Sequence, residues 1–254
     1  MGGVVPGVLM GLLLMAMILY FAIKRGYERH PFVLKQLIRK FVYGIPAFQT
    51  PLIILSGFTL GWFTPTEASS IAVVYSLLIS LFVYKTLTWE EFKKCLKDSA
   101  ISTANTLFII GTSTLFTYVM AMEGISRQFS GFILGISSNP KVILFVINIL
   151  LLVLGMVMEP GAILTLMLPV LLPIAQGLGL DLVHFGVMIV LNLMIGQVTP
   201  PFGVCLFVIS DVNKLKLERL YKSILPFLVP LLATLFLCTY VPELVTFLPT
   251  MLLG

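Results

Sequence analysis

The residues with the clearest chemical potential lie in Gly196-Gln197-Val198-Thr199-Pro200-Pro201, inside an apolar stretch covering residues 182–210. Proline has no backbone N–H and its ring clashes with the preceding turn, so two in succession break a helix. A helix broken at this depth frees carbonyls at one half-end and N–H groups at the other. Thr199 adds a hydroxyl oxygen, and Asn192 and Gln197 add carboxamides. Together these groups can hold a cation beside an anion without burying an ionised side chain. The competing reading is a kink that only bends the helix for packing, with Thr199 bonding back to a carbonyl.

Glu159-Pro160-Gly161 is the second candidate. Glu159 is the only acidic residue between Glu123 and Asp181, and a carboxylate at membrane depth is costly enough to mark a functional position. Pro160 suits the first position of a helix, so an N-cap role for Glu159 is the alternative. Thr64-Pro65-Thr66-Glu67 has the spacing of a capping box and reads as structural. His184 follows Asp181 closely and reads as a capping or interfacial group rather than a proton relay. Asn105, Thr106, Thr112, Ser113, Thr114 and Thr117 make residues 100–122 unusually polar for an apolar stretch, either lining a path or joining helices.

Cys95, Cys205 and Cys238 form no CxxC pair, which argues against a disulfide framework or a zinc site. No HExxH, GxSxG or Walker A motif occurs, nor a pair of intramembrane Asp residues, so neither an enzyme nor a bound cofactor is expected.

The elements that must position these residues follow from composition. Hydrophobic residues make up 59% of the 254 and charged residues 11%, with a mean hydropathy of +1.08. A soluble domain carries about 25% charged residues, so this chain is an integral membrane protein. Apolar stretches at residues 4–23, 45–63, 68–84, 100–122, 142–158, 162–178, 182–210 and 224–248 are candidate spans, separated by charge, Pro or Gly. Those at 142–158 and 162–178 are at the short limit for crossing and meet at Glu159-Pro160-Gly161, as a re-entrant hairpin would. The stretch 4–23 lacks a basic n-region and a small-residue cleavage site and is followed by Lys24 and Arg25, which reads as a span.

Amphipathic stretches at 25–43, 88–98 and 211–223 read as interfacial arms; in the first, Phe32, Leu34, Leu37, Ile38 and Phe41 alternate with Arg29, Lys35, Arg39 and Lys40. Of sixteen Lys and Arg residues, six lie in 24–40, four in 85–97 and four in 214–222. The net charge of +5 therefore belongs to loops beside spans, where it meets membrane lipid rather than nucleic acid. The positive-inside rule puts these basic loops in the cytoplasm and both chain ends, with Arg127 and Lys141, outside. A start on the outside leads to the expectation that an N-terminal part precedes this sequence.

Four groups of residues, in this order, resemble a known family. They are Gly61-Trp62-Phe63-Thr64-Pro65-Thr66-Glu67-Ala68; Met158-Glu159-Pro160 with Leu168-Pro169 and Leu172-Pro173; Val183-His184-Phe185-Gly186; and Asn192-Leu193-x-Ile195-Gly196-x-x-Thr199-Pro200-Pro201-x-Gly203. The chain resembles the C-terminal half of the large membrane subunit of tripartite ATP-independent periplasmic (TRAP) transporters.

The resemblance implies an all-α, multi-span helical bundle, the second of two inverted repeats of an elevator-type transporter, with a re-entrant hairpin and a broken transmembrane helix. It implies scaffold-type spans with interfacial arms at 1–123, a transport-type region at 124–210 (hairpin 142–178, broken helix 182–210), and an amphipathic linker and C-terminal span at 211–254. The implied ion and substrate site comprises Glu159, Pro160, Gly161, Asn192, Gly196, Gln197, Thr199 and Pro200, with sodium near Gly196 and Thr199.

The implied partners are a periplasmic solute-binding protein, a small membrane subunit and the missing N-terminal repeat of the large subunit, all at the bacterial inner membrane. The implied activity is sodium-coupled import of organic acids such as C4-dicarboxylates or sialic-acid-like sugar acids. Two positions depart from the family pattern, Glu159 for the usual Asp and Gly161 for a common small hydroxyl residue, which leaves sodium and proton both open as coupling ion. The alternatives are an ion-coupled anion carrier that needs no binding protein and a non-transporting membrane scaffold.

Overall fold

The computed structural model describes residues 1–26, 33–137 and 139–253. Among them are eleven α-helices and no strand. They are α1 (Val4–Arg25), α2 (Leu34–Thr59), α3 (Pro65–Leu78), α4 (Trp89–Met122), α5 (Ile125–Ile136), α6 (Pro140–Val157), α7 (Pro160–Gly177), α8 (Leu182–Gly196), α9 (Val204–Asn213), α10 (Leu217–Tyr240) and α11 (Glu243–Leu253). α3 runs on through a π-helical turn, Ile79–Val83.

In hydrocarbon each backbone N–H and C=O must find a partner within the protein, which a helix achieves along its own length. α1, α4, α6, α7, α10 and the stretch Thr66–Val83 are long and apolar enough to cross a membrane. Val8, Leu12, Met15, Ile18 and Leu19 of α1 are each more than half exposed, a surface suited to lipid rather than water. The chain is an all-α, multi-span membrane protein.

The chain forms two compact units, one of residues 27–105 and one of residues 1–26 with 106–254. In the first, α2 packs on α3. The side chain of Tyr75 donates to the Pro46 carbonyl at 3.2 Å and to the Gln49 side chain, and that of Tyr84 donates to the Tyr43 carbonyl at 2.8 Å. The expected capping box opens α3, with the Thr64 N–H donating to Glu67 Oε2 at 2.8 Å and the Glu67 N–H to Thr64 Oγ1 at 3.3 Å.

In the second unit, α6, α7, α8 and α10 form the core. Ile143, Leu144, Ile147 and Leu151 recur at helical spacing along α6 and pack with Phe185, Met188, Ile189 and Leu193 of α8 and Leu228, Leu231 and Leu235 of α10. Between helices in lipid, such packing rests on close van der Waals contact and hydrogen bonds, since lipid tails are as apolar as leucine. Phe21 of α1 lies against Phe227 of α10, ring centroids 5.9 Å apart. α5 packs on α7, and Ser130 Oγ donates to the Val170 carbonyl at 3.1 Å.

Several boundaries differ from expectation. From Leu34 on, the arm 25–43 shares one helix, α2, with most of the span 45–63, and that helix runs through Pro46 and Pro51; Arg29 and Phe32 lie outside the described residues. The arm 88–98 and the span 100–122 are likewise one 34-residue helix, α4, because no Pro or Gly separates Asp98 from Ala100. The stretch 224–248 divides into α10 and α11 around Val241-Pro242, where the missing proline N–H and its ring end the first helix. α5 was not expected; it lies between the stretches 100–122 and 142–158 read as spans, and the side chain of Arg127 in it lies outside the described residues.

Asp181 caps α8, its carboxylate accepting the His184 N–H at 2.8 Å. His184 itself is 1% exposed, with Nε2 2.7 Å from the Cys238 carbonyl, so its ring joins α8 to α10. Removing the cap with Asp181→Ala is expected to lower stability by about 1 kcal/mol, with Asp181→Asn retaining most of it. The unfolding midpoint of the purified chain in detergent checks this.

Candidate ion and substrate site

Two pairs of contacts define the geometry. Asn192 of α8 bonds to Asn148 of α6, and farther along both chains Gly196 meets Gly155: a Cβ on Gly196 would lie 2.7 Å from the Gly155 Cα and carbonyl carbon. Contacts that advance in the same direction on both helices mean that α6 and α8 run parallel. Their C-terminal ends therefore arrive together at Gly155 and Gly196. Only glycines permit backbones this close.

Each C-terminal end carries about half a negative charge and carbonyls without intrahelical partners. The junction of two such ends attracts a cation. At α6 the Leu154 carbonyl is occupied by the Met158 N–H at 2.9 Å. At α8 the Gly196 carbonyl accepts the Thr199 N–H at 3.0 Å, which leaves that oxygen a second lone pair.

After Gly196 the helix stops, as Gln197 to Pro201 led us to expect, and α9 begins at Val204. The intervening loop closes on itself. The Cys205 N–H donates to the Gln197 carbonyl at 3.2 Å, and Cys205 Sγ lies 3.4 Å from Gln197 Oε1. Gly203, at φ +26°, faces the Thr199 carbonyl so closely that a Cβ would meet it at 3.0 Å. Tyr221 of α10 donates to the Pro201 carbonyl at 2.6 Å and ties the loop down. Thr199 is 8% exposed, and its hydroxyl donates to the Ile195 carbonyl at 2.6 Å. That back-bond spends the hydroxyl hydrogen and leaves the oxygen lone pairs as acceptors.

Glu159 and Gly161 flank the start of α7, with Pro160 as its first residue. The Glu159 carboxylate accepts the Ala162 N–H at 3.1 Å, so the N-cap role is the one its geometry displays. A Cβ at Gly161 would lie 3.0 Å from Glu159 Oε2. The Glu159 carboxylate thus folds back over position 161, where a side chain would crowd it.

The expected residues fall into two places: Glu159, Pro160 and Gly161 at the α6–α7 turn, and Asn192, Gly196, Gln197, Thr199 and Pro200 along α8 and its break. The turn begins one residue after α6 ends at Val157. Sequence reasoning missed Gly155, Asn148 and Thr239. Asn148 is the only polar side chain within residues 142–157, a signal that was available; the other two had none.

The oxygen-only donor set fits a hard cation such as sodium. Carbonyls at Gly155 and Gly196 and the Thr199 hydroxyl are ligands of that class, with no thiol or imidazole among them. The Gly196 contact is a cradle that a single Cβ would fill, and the Asn192 Oδ1 atom is buried without a hydrogen-bond partner among the described residues.

Comparison with known proteins bears on the whole chain. The family described as "Tripartite ATP-independent periplasmic transporter, DctM component" matches residues 1–244. A sialic acid TRAP transporter permease of Haemophilus influenzae is 41% identical over 99% of this chain, which covers 41% of that protein. A sialic acid TRAP transporter large permease of Vibrio cholerae is 38% identical over 100% of this chain and 60% of its own length. A C4-dicarboxylate TRAP transporter large permease of Pseudomonas aeruginosa is 39% identical over 98% of this chain and 59% of its own length. The chain thus spans about half the length of these relatives and matches their C-terminal part. They are permeases rather than enzymes, and with the helices above they indicate a multi-pass protein of the inner membrane. The chain belongs to the DctM component family of tripartite ATP-independent periplasmic transporters.

Proposed function

We propose that this chain supplies half of the ion and substrate site of a sodium-coupled importer of organic acids. The observation that supports it best is the meeting of two parallel helix ends at Gly155 and Gly196, beside a helix break rich in oxygen ligands. In this reading sodium lies against the carbonyls at Gly155 and Gly196 and the Thr199 hydroxyl, with Asn192 and Gln197 adding oxygens nearby. The N-terminal ends of α7 and α9 carry positive dipole ends. Glu159 occupies the first, so a substrate carboxylate is assigned to the second, next to Pro200 and Gly203. Bound sodium offsets the negative helix ends and the approaching carboxylate together, which makes ion and substrate binding mutually favourable.

The substrates proposed are carboxylates such as C4-dicarboxylates or sialic-acid-like sugar acids, the kinds named for relatives. A periplasmic binding protein delivers them, and a small membrane subunit and an N-terminal repeat complete the permease. Residues 124–210, with Glu159-Pro160-Gly161 at the tip of a re-entrant hairpin, move as the transport-type region against scaffold-type spans. The basic loops at 24–40, 85–97 and 214–222 face the cytoplasm.

Thr199→Val tests the assignment, because it keeps the volume and removes the oxygen. In a complete reconstituted transporter, sodium-dependent uptake is expected to fall about 10- to 100-fold, with Thr199→Ser close to wild type. Undiminished uptake by Thr199→Val would favour a scaffold without an ion site.

A further inference from the structure

A buried hydrogen-bond chain links α10, α6 and α8, and its direction is fixed at both ends. The Leu235 carbonyl can only accept, and the Thr239 hydroxyl donates to it at 2.8 Å. Thr239 Oγ1 is left to accept, and Asn148 Nδ2 donates to it at 3.0 Å. Asn148 Oδ1 then accepts from Asn192 Nδ2 at 2.7 Å. The same Asn192 nitrogen donates to the Asn148 main-chain carbonyl at 2.9 Å. That second bond forbids the flipped carboxamide, which would set oxygen against oxygen. Asn192 Oδ1 is therefore an acceptor end, without a hydrogen-bond partner among the described residues. Asn148 and Asn192 are 0% exposed and Thr239 1%.

Around the chain the α6–α8 seam is smooth and apolar, with Ile147, Leu151, Met188 and Leu193 fully buried. Such surfaces fix the axial position of two parallel helices weakly. A polar pair in an apolar seam fixes it strongly, because slipping leaves buried groups unpaired. A slip of one residue moves a helix about 1.5 Å and turns it by about 100°, enough to take Gly196 off Gly155. Asn192 lies one turn before Gly196 on α8, and Asn148 two turns before Gly155 on α6.

We propose that Asn148 and Thr239 are positioning residues for the ion seat: they orient Asn192 and hold α8 in register on α6, so that both helix ends present their carbonyls to one cation. This rests on the sodium reading given above. α10 thereby acts on the ion seat through Thr239, although it supplies no ligand to it.

The test measures radiosodium binding to the full chain in lipid nanodiscs, with choline holding ionic strength constant, beside the thermal midpoint without sodium. Thr239→Val is expected to raise the half-saturating sodium concentration about tenfold, and Thr239→Ser to restore it to within about twofold. Thr239→Ala removes the same oxygen without adding bulk and carries the same expectation if valine prevents folding. A purely structural role would move the midpoint and leave the half-saturating concentration unchanged. Wild-type sodium binding in Thr239→Val and Thr239→Ala, with binding lost in Thr199→Val, would overturn the positioning role alone. Wild-type binding in Thr199→Val would overturn the ion seat and this inference with it.

Discussion

Gly196→Leu is expected to abolish sodium-dependent uptake while leaving membrane insertion intact. A Cβ at this position would stand 2.7 Å from the Gly155 Cα and carbonyl carbon, against a normal contact of about 3.5–4.0 Å between carbon atoms. Neither atom is a flexible side chain that can swing away, so the helices themselves must separate. Overpacking of this kind costs about 1–3 kcal/mol, which a multi-span bundle can survive. The convergence of the two helix ends cannot survive it, because the separation falls at the ion seat. The effect should be graded. In Gly155→Ala the added Cβ meets the Gly196 Cα at 3.3 Å, a contact relieved by a few tenths of an ångström, so uptake should fall least there, further in Gly196→Ala and completely in Gly196→Leu. Insertion is read from the yield of monodisperse protein in detergent and uptake from reconstituted transporter. Normal uptake by Gly196→Leu would remove Gly196 from the site.

Asn148→Leu is expected to destabilise the chain by about 2–4 kcal/mol. The substitution nearly preserves volume and strands two buried groups, the Thr239 oxygen and one N–H of Asn192; each unsatisfied buried group costs about 1–3 kcal/mol. Asn192 keeps its bond to the main-chain carbonyl of residue 148, which holds the total below that for a fully orphaned carboxamide. Removing both amides costs less than removing one, because the Thr239 oxygen alone is then left without its partner, one stranded group instead of two. The double variant Asn148→Leu/Asn192→Leu should accordingly regain part of the loss. Unfolding midpoints of the three variants against wild type decide this, and an unchanged midpoint for Asn148→Leu would mean that the buried chain does not hold the helices together.

Local chemistry made much of this fold legible. The break after Gly196, the cap of α3 at Thr64 and the start of α7 at Pro160 are decided by residues within a few positions of one another. The failures have the same origin. α4 is continuous from Trp89 to Met122 because nothing local stops it, although its polarity changes midway and suggested an arm followed by a span. α5 is short and interrupted by polar residues, and it is a helix because α7 covers one of its faces. Asn148 and Thr239 meet across 91 residues of sequence, and Gly155 meets Gly196 across a whole hairpin. Nothing near any of these positions announces its partner. Asn192 drew attention for its place beside the helix break, whereas its environment is set by α6. The Glu159 carboxylate drew attention as a charge at depth, and its geometry is that of an N-cap.

The most direct test of the central reading is uptake of a panel of radiolabelled organic acids by proteoliposomes holding the complete permease, small subunit and binding protein around this chain. It is run with an inward sodium gradient, with an equal potassium gradient and without the binding protein. The proposed function predicts accumulation of at least one carboxylate only when the sodium gradient and the binding protein are both present. Accumulation that ignores sodium would contradict the ion seat at Gly155 and Gly196, and accumulation without the binding protein would contradict the tripartite mechanism.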